Sequence, residues 1–111
     1  MEFYRGDNKS YTLAFTDSDN NAIDITGWKI FFTIKQHLSQ SDSEANLKED
    51  VTDHDDPTNG LSSIHLSNGQ TDLLEPGDYF CDIQIKKVDG TILTIMSEKL
   101  RVLADVTRRE N

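Results

Sequence analysis

Three segments of this sequence carry side chains that can bind a metal ion or act as a nucleophile. Residues 17–21 read Asp-Ser-Asp-Asn-Asn and place oxygen atoms at alternate positions, as the first half of a calcium-binding loop does. That loop needs a glycine at its sixth position and a glutamate at its twelfth, where this chain has Ala22 and Trp28. We therefore interpret the segment as a hairpin turn, with weak calcium affinity as the alternative.

The second segment, Asp-His-Asp-Asp at 53–56, combines carboxylates with an imidazole. Four consecutive residues of an extended loop cannot all reach one ion, and no distant pair of His and Cys residues completes a ligand set. His37 and His65 are isolated in the sequence, which also has no Ser-His-Asp spacing, phosphate-binding glycine loop or zinc motif. We therefore predict no catalytic residue, no metal site, no cofactor and no enzymatic activity.

The third segment contains Cys81, the only cysteine, so no disulfide can form within the chain. The alternation of its strand places the thiol on an inward face, where burial raises the pKa of a thiol and leaves it inert. The Arg-Gly-Asp tripeptide at 5–7 matches a sequence that some receptors recognise. A three-residue match is common by chance, so we interpret it as a turn that uses the conformational freedom of Gly6.

The elements that must position these residues belong to one domain, since 111 residues suffice for one core and not for two. A net charge of -9, from 20 acidic and 11 basic residues, disfavours nucleic acid and anionic membranes as partners. No apolar run approaches the roughly 20 residues of a membrane span, and residues 1–5 lack the apolar core of a signal peptide. We therefore expect synthesis and folding in a cytoplasm.

Apolar residues recur at every second position along most of the chain, which predicts β-strands and no long helix. We expect an all-β, immunoglobulin-like β-sandwich of about seven or eight antiparallel strands over residues 1–104, followed by a charged tail at 105–111. A helical turn within 67–74, an Asp89-Gly90 hairpin and a change of alternation near Ser97 and Glu98 complete the pattern. The predicted strands are 11–16, 23–25, 28–35, 47–51, 61–66, 79–86 and 91–103.

The most informative stretch is 74–85, where a Pro-Gly turn leads into an alternating strand that begins at Tyr79. In β-sandwiches a tyrosine at this place is buried, and its hydroxyl bonds back to the corner that precedes it. Tyr-x-Cys here and Trp28 on an earlier strand are also the arrangement of an immunoglobulin domain. The stretch therefore predicts the architecture of the protein rather than its activity.

One set of outward positions predicts a contact surface. In this topology the strands that contain Trp28, Tyr79 and Thr91 are neighbours in one sheet. Apolar side chains on the solvent face of one sheet suggest a partner interface, although scattered exposed apolar residues are also normal. Substituting the phenylalanines with serine should then abolish association and leave folding intact. The hypothetical interface comprises Phe31, Phe80 and either Leu93 or Ile95.

The turn and strand motifs resemble those of the immunoglobulin-like domain that recurs in tailed-phage baseplate, fibre and head-associated proteins. They are similar in particular to the N-terminal domain of phage baseplate upper proteins. The resemblance covers nearly the whole chain. It rests on Arg-Gly-Asp-x-Lys-x-Tyr-Thr-Leu-x-Phe-Thr-Asp-x-Asp at 5–19, Ile-Asp-Ile-Thr-Gly-x-x-Ile-x-Phe-Thr-Ile-Lys at 23–35, Asp-Pro-Thr-x-Gly at 56–60, Leu-x-Pro-Gly-x-Tyr-x-x-Asp-Ile-Gln at 74–84 and Val-Leu-x-Asp-Val-Thr-Arg at 102–108.

The resemblance implies a virion structural or adaptor protein of a phage or prophage, made in the cytoplasm of a bacterial host. Its implied partners are other phage structural proteins near the tail or baseplate, with a homo-oligomer as a further possibility. The family offers no functional residues to carry over, and residues 39–56 are longer and more acidic than its pattern. The alternatives are a head-associated decoration protein and a carbohydrate- or ligand-binding sandwich. The binding module would need exposed aromatic residues, whereas Trp28 is assigned to the core.

Overall fold

A computed structural model describes residues 1–37, 39–41 and 44–104 of the chain. In this part of the chain the alternating segments form seven strands, together with a 3-10 helix at Pro57–Asn59 and a single helical turn, α1, at Asn68–Thr71. Ser67 and Gln70 cap α1 with a reciprocal capping box, which confirms the predicted turn. The strands are β1 (Glu2–Tyr4), β2 (Lys9–Ala14), β3 (Lys29–Lys35), β4 (Leu47–Val51), β5 (Leu61–Leu66), β6 (Gly77–Lys86) and β7 (Ile92–Leu103).

The strands form two sheets, one of five strands in the order β1-β7-β6-β3-β4 and one that pairs β2 with β5. An immunoglobulin-like sandwich places strands C, F and G side by side in one sheet and B beside E in the other. Here β3, β6 and β7 take the first three places, and β2 and β5 the other two, so the predicted all-β sandwich is confirmed.

The sequence predicts antiparallel strands and none at residues 2–4, whereas β1 lies there and runs parallel to β7. Residues 5–8 carry the chain from one sheet to the other, beginning with a turn in which the Asp7 N–H donates to the Tyr4 carbonyl. β1 and β2 therefore lie in different sheets and cannot pair as a hairpin. β1 instead takes the free edge of β7, and Phe3 is buried beside Val102.

The core lies between the inner faces of the two sheets. Ile30, Phe32 and Ile34 alternate with more exposed residues along β3, as the sequence predicts, and each is fully buried. They pack in one cluster with Ile64 and Leu66 of β5. Burying side chains of this size contributes about 1.5–3 kcal/mol each, so this seam holds the two sheets together.

The predicted strand at 23–25 is not a strand. Its neighbourhood forms one isolated bridge, between Thr16 and Ala22. Within that bridge the Ile23 N–H donates to the Phe15 carbonyl, but the Ile25 N–H donates to the Pro57 carbonyl of the 3-10 helix, 2.9 Å away, so the antiparallel pairing does not continue through 23–25. Ile25 is nevertheless fully buried, which is why the apolar pattern resembled that of a strand.

The change of alternation in β7 lies two residues earlier than predicted. Ile83 pairs with Met96 while Gln84 pairs with Thr94, so Ile95 is the extra residue of a β-bulge. Four of the five residues at 92–96 are apolar, and a run of this kind does not reveal which side chains face inward.

The other sequence predictions for turns and edges are confirmed. Asp17 accepts hydrogen bonds from the backbone of Asp19 and Asn21, as an Asx turn requires. Gly6 and Gly90 have positive φ in their turns, and β4 is an edge strand. No helix in the described ranges is long and apolar enough to cross a membrane. The predicted tail at 105–111 lies outside the described residues.

Candidate docking face

The tyrosine corner fixes the orientation of the strand that carries the candidate site. The Tyr79 hydroxyl donates a 2.6 Å hydrogen bond to the Glu75 carbonyl, and the side chain is 3% exposed, as predicted. Burial is the main reason that the pKa of Tyr79 is raised. Because side chains alternate along a strand, fixing Tyr79 inward places Phe80 outward. The corner therefore sets which face of β6 meets solvent.

The outward side of the five-stranded sheet, called here the outer face, carries both predicted phenylalanines. Phe31 lies between Gln84 and Asp50, and Phe80 lies between Lys35 and Lys99. Both phenylalanines are half-buried. Phe80 is level with Lys35, four residues along β3 from Phe31, which is about 13 Å along the strand. The two rings are therefore separate anchors rather than one cluster.

Each phenylalanine lines its own depression. An open concavity of about 560 Å³ surrounds Phe80, with Lys99, Arg101, Asp78 and Glu2 among its lining residues. A second depression of about 310 Å³ surrounds Phe31. Its other lining residues are Thr33, Lys48, Asp50, Gln84, Lys86 and Ile92. Each depression thus combines a phenylalanine ring with charged side chains, and aromatic residues surrounded by polar ones are typical of protein interfaces.

The outer face is basic although the protein is acidic. The strand positions that point outward include six basic and four acidic residues, a net of +2. The other 5 basic and 16 acidic residues of the chain give -11. The sheet register therefore sorts the basic residues onto one surface. The basic residues are Lys29, Lys35, Lys48, Lys86, Lys99 and Arg101, and the acidic ones are Glu2, Asp50, Asp78 and Asp82.

The structure does not bring the whole predicted interface together. Leu93 pairs with the buried Ile85 and lies on the inner side of the sheet, so of the two alternatives at this place, Leu93 or Ile95, Leu93 does not face outward. Ile95 is the bulge residue and pairs with none. The physical reason is the bulge, which shifts the alternation of β7 ahead of Met96. The outward apolar residue at this end is Ile92, opposite Lys86, which the sequence analysis missed.

The side chains that the sequence analysis considered for chemistry, His54 and Cys81 among them, are held in place or made unreactive by their surroundings. The His54 ring lies 2.7 Å from the Trp28 carbonyl through Nε2 and 2.8 Å from the Ser62 hydroxyl through Nδ1. Since a carbonyl oxygen only accepts, Nε2 carries a hydrogen atom, and this N–H donates a hydrogen bond to the Trp28 carbonyl. Burial raises the pKa of Cys81 to about 11, which keeps the thiol protonated at neutral pH. Within the described residues no group of three or more His, Cys, Asp or Glu side chains is placed to hold a metal ion.

The arrangement of sheets, corner and outer face defines an immunoglobulin-like sandwich with one mixed apolar and basic surface. No protein-family model matches the sequence, and no curated protein matches it. Among solved structures, the N-terminal domain of phage TP901-1 ORF48 is similar with a TM-score of 0.51 and 16% identity. That match covers 92% of this chain and 82% of the phage domain.

A second similar structure is the soluble domain of PmoD from a Methylocystis species, with a TM-score of 0.51 and 11% identity. It covers 91% of this chain and 76% of that one. At such low identities both likenesses show the fold alone. The resemblance that the sequence predicts, to an immunoglobulin-like domain of a phage protein, is confirmed at the level of fold.

Proposed function

We propose that this protein is a non-enzymatic structural or adaptor protein of a phage or prophage, and that it docks another virion protein through its outer face. The observation that carries the proposal is the likeness to a phage domain over 92% of the chain. The resemblance of the sequence motifs to those of baseplate upper proteins supports a position near the tail or baseplate, and hence in the virion after synthesis in a bacterial host. The fold by itself does not identify the function, since the soluble domain of PmoD is similar to this chain to the same degree.

The chemistry of the outer face favours a protein partner with an acidic surface and two apolar protrusions. Phe31 and Phe80 each line a depression that an apolar side chain can fill, and filled aromatic pockets dominate interface energies. The surrounding lysines and arginine favour acidic groups through charge complementarity, which raises association rates and selects partners. The four carboxylates among six basic residues disfavour a nucleic-acid backbone or an anionic membrane, which need a concentrated positive face.

The test uses particles purified from the strain that encodes the protein, after deletion of the gene and complementation with tagged variants. We expect the wild-type chain to sediment with the particles. The double variant F31S/F80S should remain folded by circular dichroism and stay in the soluble fraction. The matched control is L73S/V88S, which removes two apolar side chains that are more exposed and lie away from the outer face, and it should sediment like wild type.

A second variant tests the same face in case F31S/F80S fails to fold. K48E/K99E reverses two charges at the rims of the depressions and leaves both rings in place, so it should also reduce the amount in particles. If the wild-type chain is absent from particles, the virion role is wrong. If both outer-face variants sediment like wild type, the protein is a virion component that docks by another surface.

A further inference from the structure

β2 has a free edge. Among the described residues it pairs only with β5, and the Phe15 N–H donates to the Gly60 carbonyl at the end of that ladder. In an antiparallel pair, successive residues point their backbone groups alternately toward the partner and away from it. The N–H and C=O groups of Ser10, Thr12 and Ala14 therefore point outward, and none has a backbone partner within the described chain.

The edges of β4 and β5 are protected, and the stretch of β7 that β1 leaves uncovered, residues 92–98, contains the bulge at Ile95, which disfavours pairing with another chain. The edge of β2 has no such feature. β4 carries the charges of Lys48, Glu49 and Asp50, which discourage pairing with another chain. The outer edge of β5 is partly satisfied, because Asp56 and Leu61 exchange two backbone hydrogen bonds of 3.0 and 3.1 Å. Residues 10–14 of β2 contain no charge, no proline and no bulge.

Apolar side chains flank the free edge on the core side. Tyr11 and Leu13 of β2 are only half-buried, although both pack on the core cluster. β5 contacts β4, so β2 lies toward β7, and the charge of Glu98 on β7 reaches the Tyr11 hydroxyl. On β7, the inward Leu93 remains 44% exposed, because two strands cannot cover the inner side of five.

We infer that this edge is an interface between two copies of the chain, paired antiparallel through β2 about a two-fold axis at Thr12. The axis places Ser10 opposite the partner subunit's Ala14 and Thr12 opposite the partner subunit's Thr12, so every outward group of these residues is bonded. The result is a continuous four-stranded sheet, β5-β2 followed by its copy. Each Tyr11 then lies opposite the partner subunit's Leu13, and this pair of aromatic and aliphatic side chains covers the exposed apolar residues beside the edge.

A second copy fits this edge better than the chain's own tail does. Residues 105–111 contain one apolar and four charged residues, which suit neither an uncharged edge nor an apolar cover. The copy brings no like charges together at the centre of the seam, although each chain has a net charge of -9. A short two-stranded sheet also gains from extension, since sheets of three or more strands are more stable.

Light scattering after size exclusion tests the inference, on wild type and on variants at the proposed axis. We expect wild type to show twice the monomer mass of 12.6 kDa. T12K and T12E should each raise the dissociation constant about tenfold or more, because like charges then meet on the axis. The matched control T12S should remain dimeric, and thermal melts should show that all three variants are folded.

An equimolar mixture of T12K and T12E should restore a dimer, because opposite charges then meet at the axis. A wild-type chain that stays monomeric up to millimolar concentration overturns the inference. So does a dimer that neither charged variant weakens, or a mixture that remains monomeric. The outcome is independent of the virion assay, since Thr12 lies on the two-stranded sheet and not on the outer face.

Discussion

The two sheets are joined differently along the two sides of the sandwich, by polar bridges on one side and by apolar contacts on the other. On the side of β4 and β5, here the closed side, His54 bridges the Trp28 carbonyl of one sheet to Ser62 of the other. Gln70, next to β5, donates a 2.7 Å hydrogen bond to Glu49 on β4. On the side of β2 and β7, here the open side, half-buried apolar residues lie below an edge strand with free backbone groups.

The difference shows that this sandwich joins its two sheets by polar side chains on one side and leaves apolar side chains beside an unpaired strand on the other. The closed side uses a few side-chain hydrogen bonds to join β4 and β5, which lie in contact but share no backbone hydrogen bond in the described chain. Polar groups that are buried or partly buried, as these are, are costly to leave unpaired, so they make the junction specific. The open side has apolar surface and an unprotected edge, which makes it adaptable to a second chain.

Removing the bridge should produce the largest effect. H54A leaves the Trp28 carbonyl and the fully buried Ser62 hydroxyl without their partner. We expect the free energy of unfolding to fall by about 2–3 kcal/mol, because each unpaired buried polar group costs about 1–3 kcal/mol. The matched control is H65A, at an exposed histidine whose Nδ1 contacts only the exposed Ser10, and it should change stability by less than about 0.5 kcal/mol. Equal losses in urea denaturation would contradict the closed-side role of His54.

A smaller loss is expected at Gln70, the second link of the closed side. Q70A removes the bond to Glu49 and one half of the capping box at α1. Loss of a capping interaction and of a bond to a carboxylate should cost about 1–2 kcal/mol in urea denaturation. Q84A on the outer face, which loses only a 3.2 Å bond to Thr94, is the control and should be nearly neutral. A neutral Q70A would mean that His54 alone closes this side.

The smallest effect is expected on the open side. The Tyr11 hydroxyl is buried, and it is the buried side-chain polar atom for which the described chain provides no hydrogen-bond partner. Burial also raises the pKa of Tyr11 to about 12, so the neutral phenol is the folded form at physiological pH. Y11F should therefore leave stability unchanged or raise it by up to about 1 kcal/mol, whereas Y79F, which loses the 2.6 Å corner bond, should lower it by about 1 kcal/mol. A marked loss of thermal stability in Y11F would reveal a partner for that hydroxyl and weaken the contrast between the two sides.

The sequence predicted the structure best where the local pattern of a single strand is enough to tell which side chains are buried. Tyr79 follows a Pro-Gly turn at the start of an alternating strand, and these local features fix its burial, its hydrogen bond and the outward placement of Phe80. The alternation of Ile30, Phe32 and Ile34 likewise indicates which face of β3 is buried. In both places a period of two residues is sufficient, because adjacent side chains of a strand must lie on opposite faces.

Sequence reasoning failed where the result depends on pairing. The bulge at Ile95 sets the faces of Leu93 and Ile92, but its position is fixed by contacts with β6 that a run of apolar residues does not specify. The bridge from His54 joins residues 26 and 8 positions away, and no spacing in the sequence signals it.

The sequence by itself therefore determined the class of fold, the corner and the inner faces of β3 and β6, because these depend on local geometry and on burial of alternate side chains. Only the tertiary structure decided that six basic residues share one face of an acidic protein. It alone also decided which edges are protected. Both properties depend on strand order and register, which bring together residues far apart in the chain, and a period of two carries no information about which strands become neighbours.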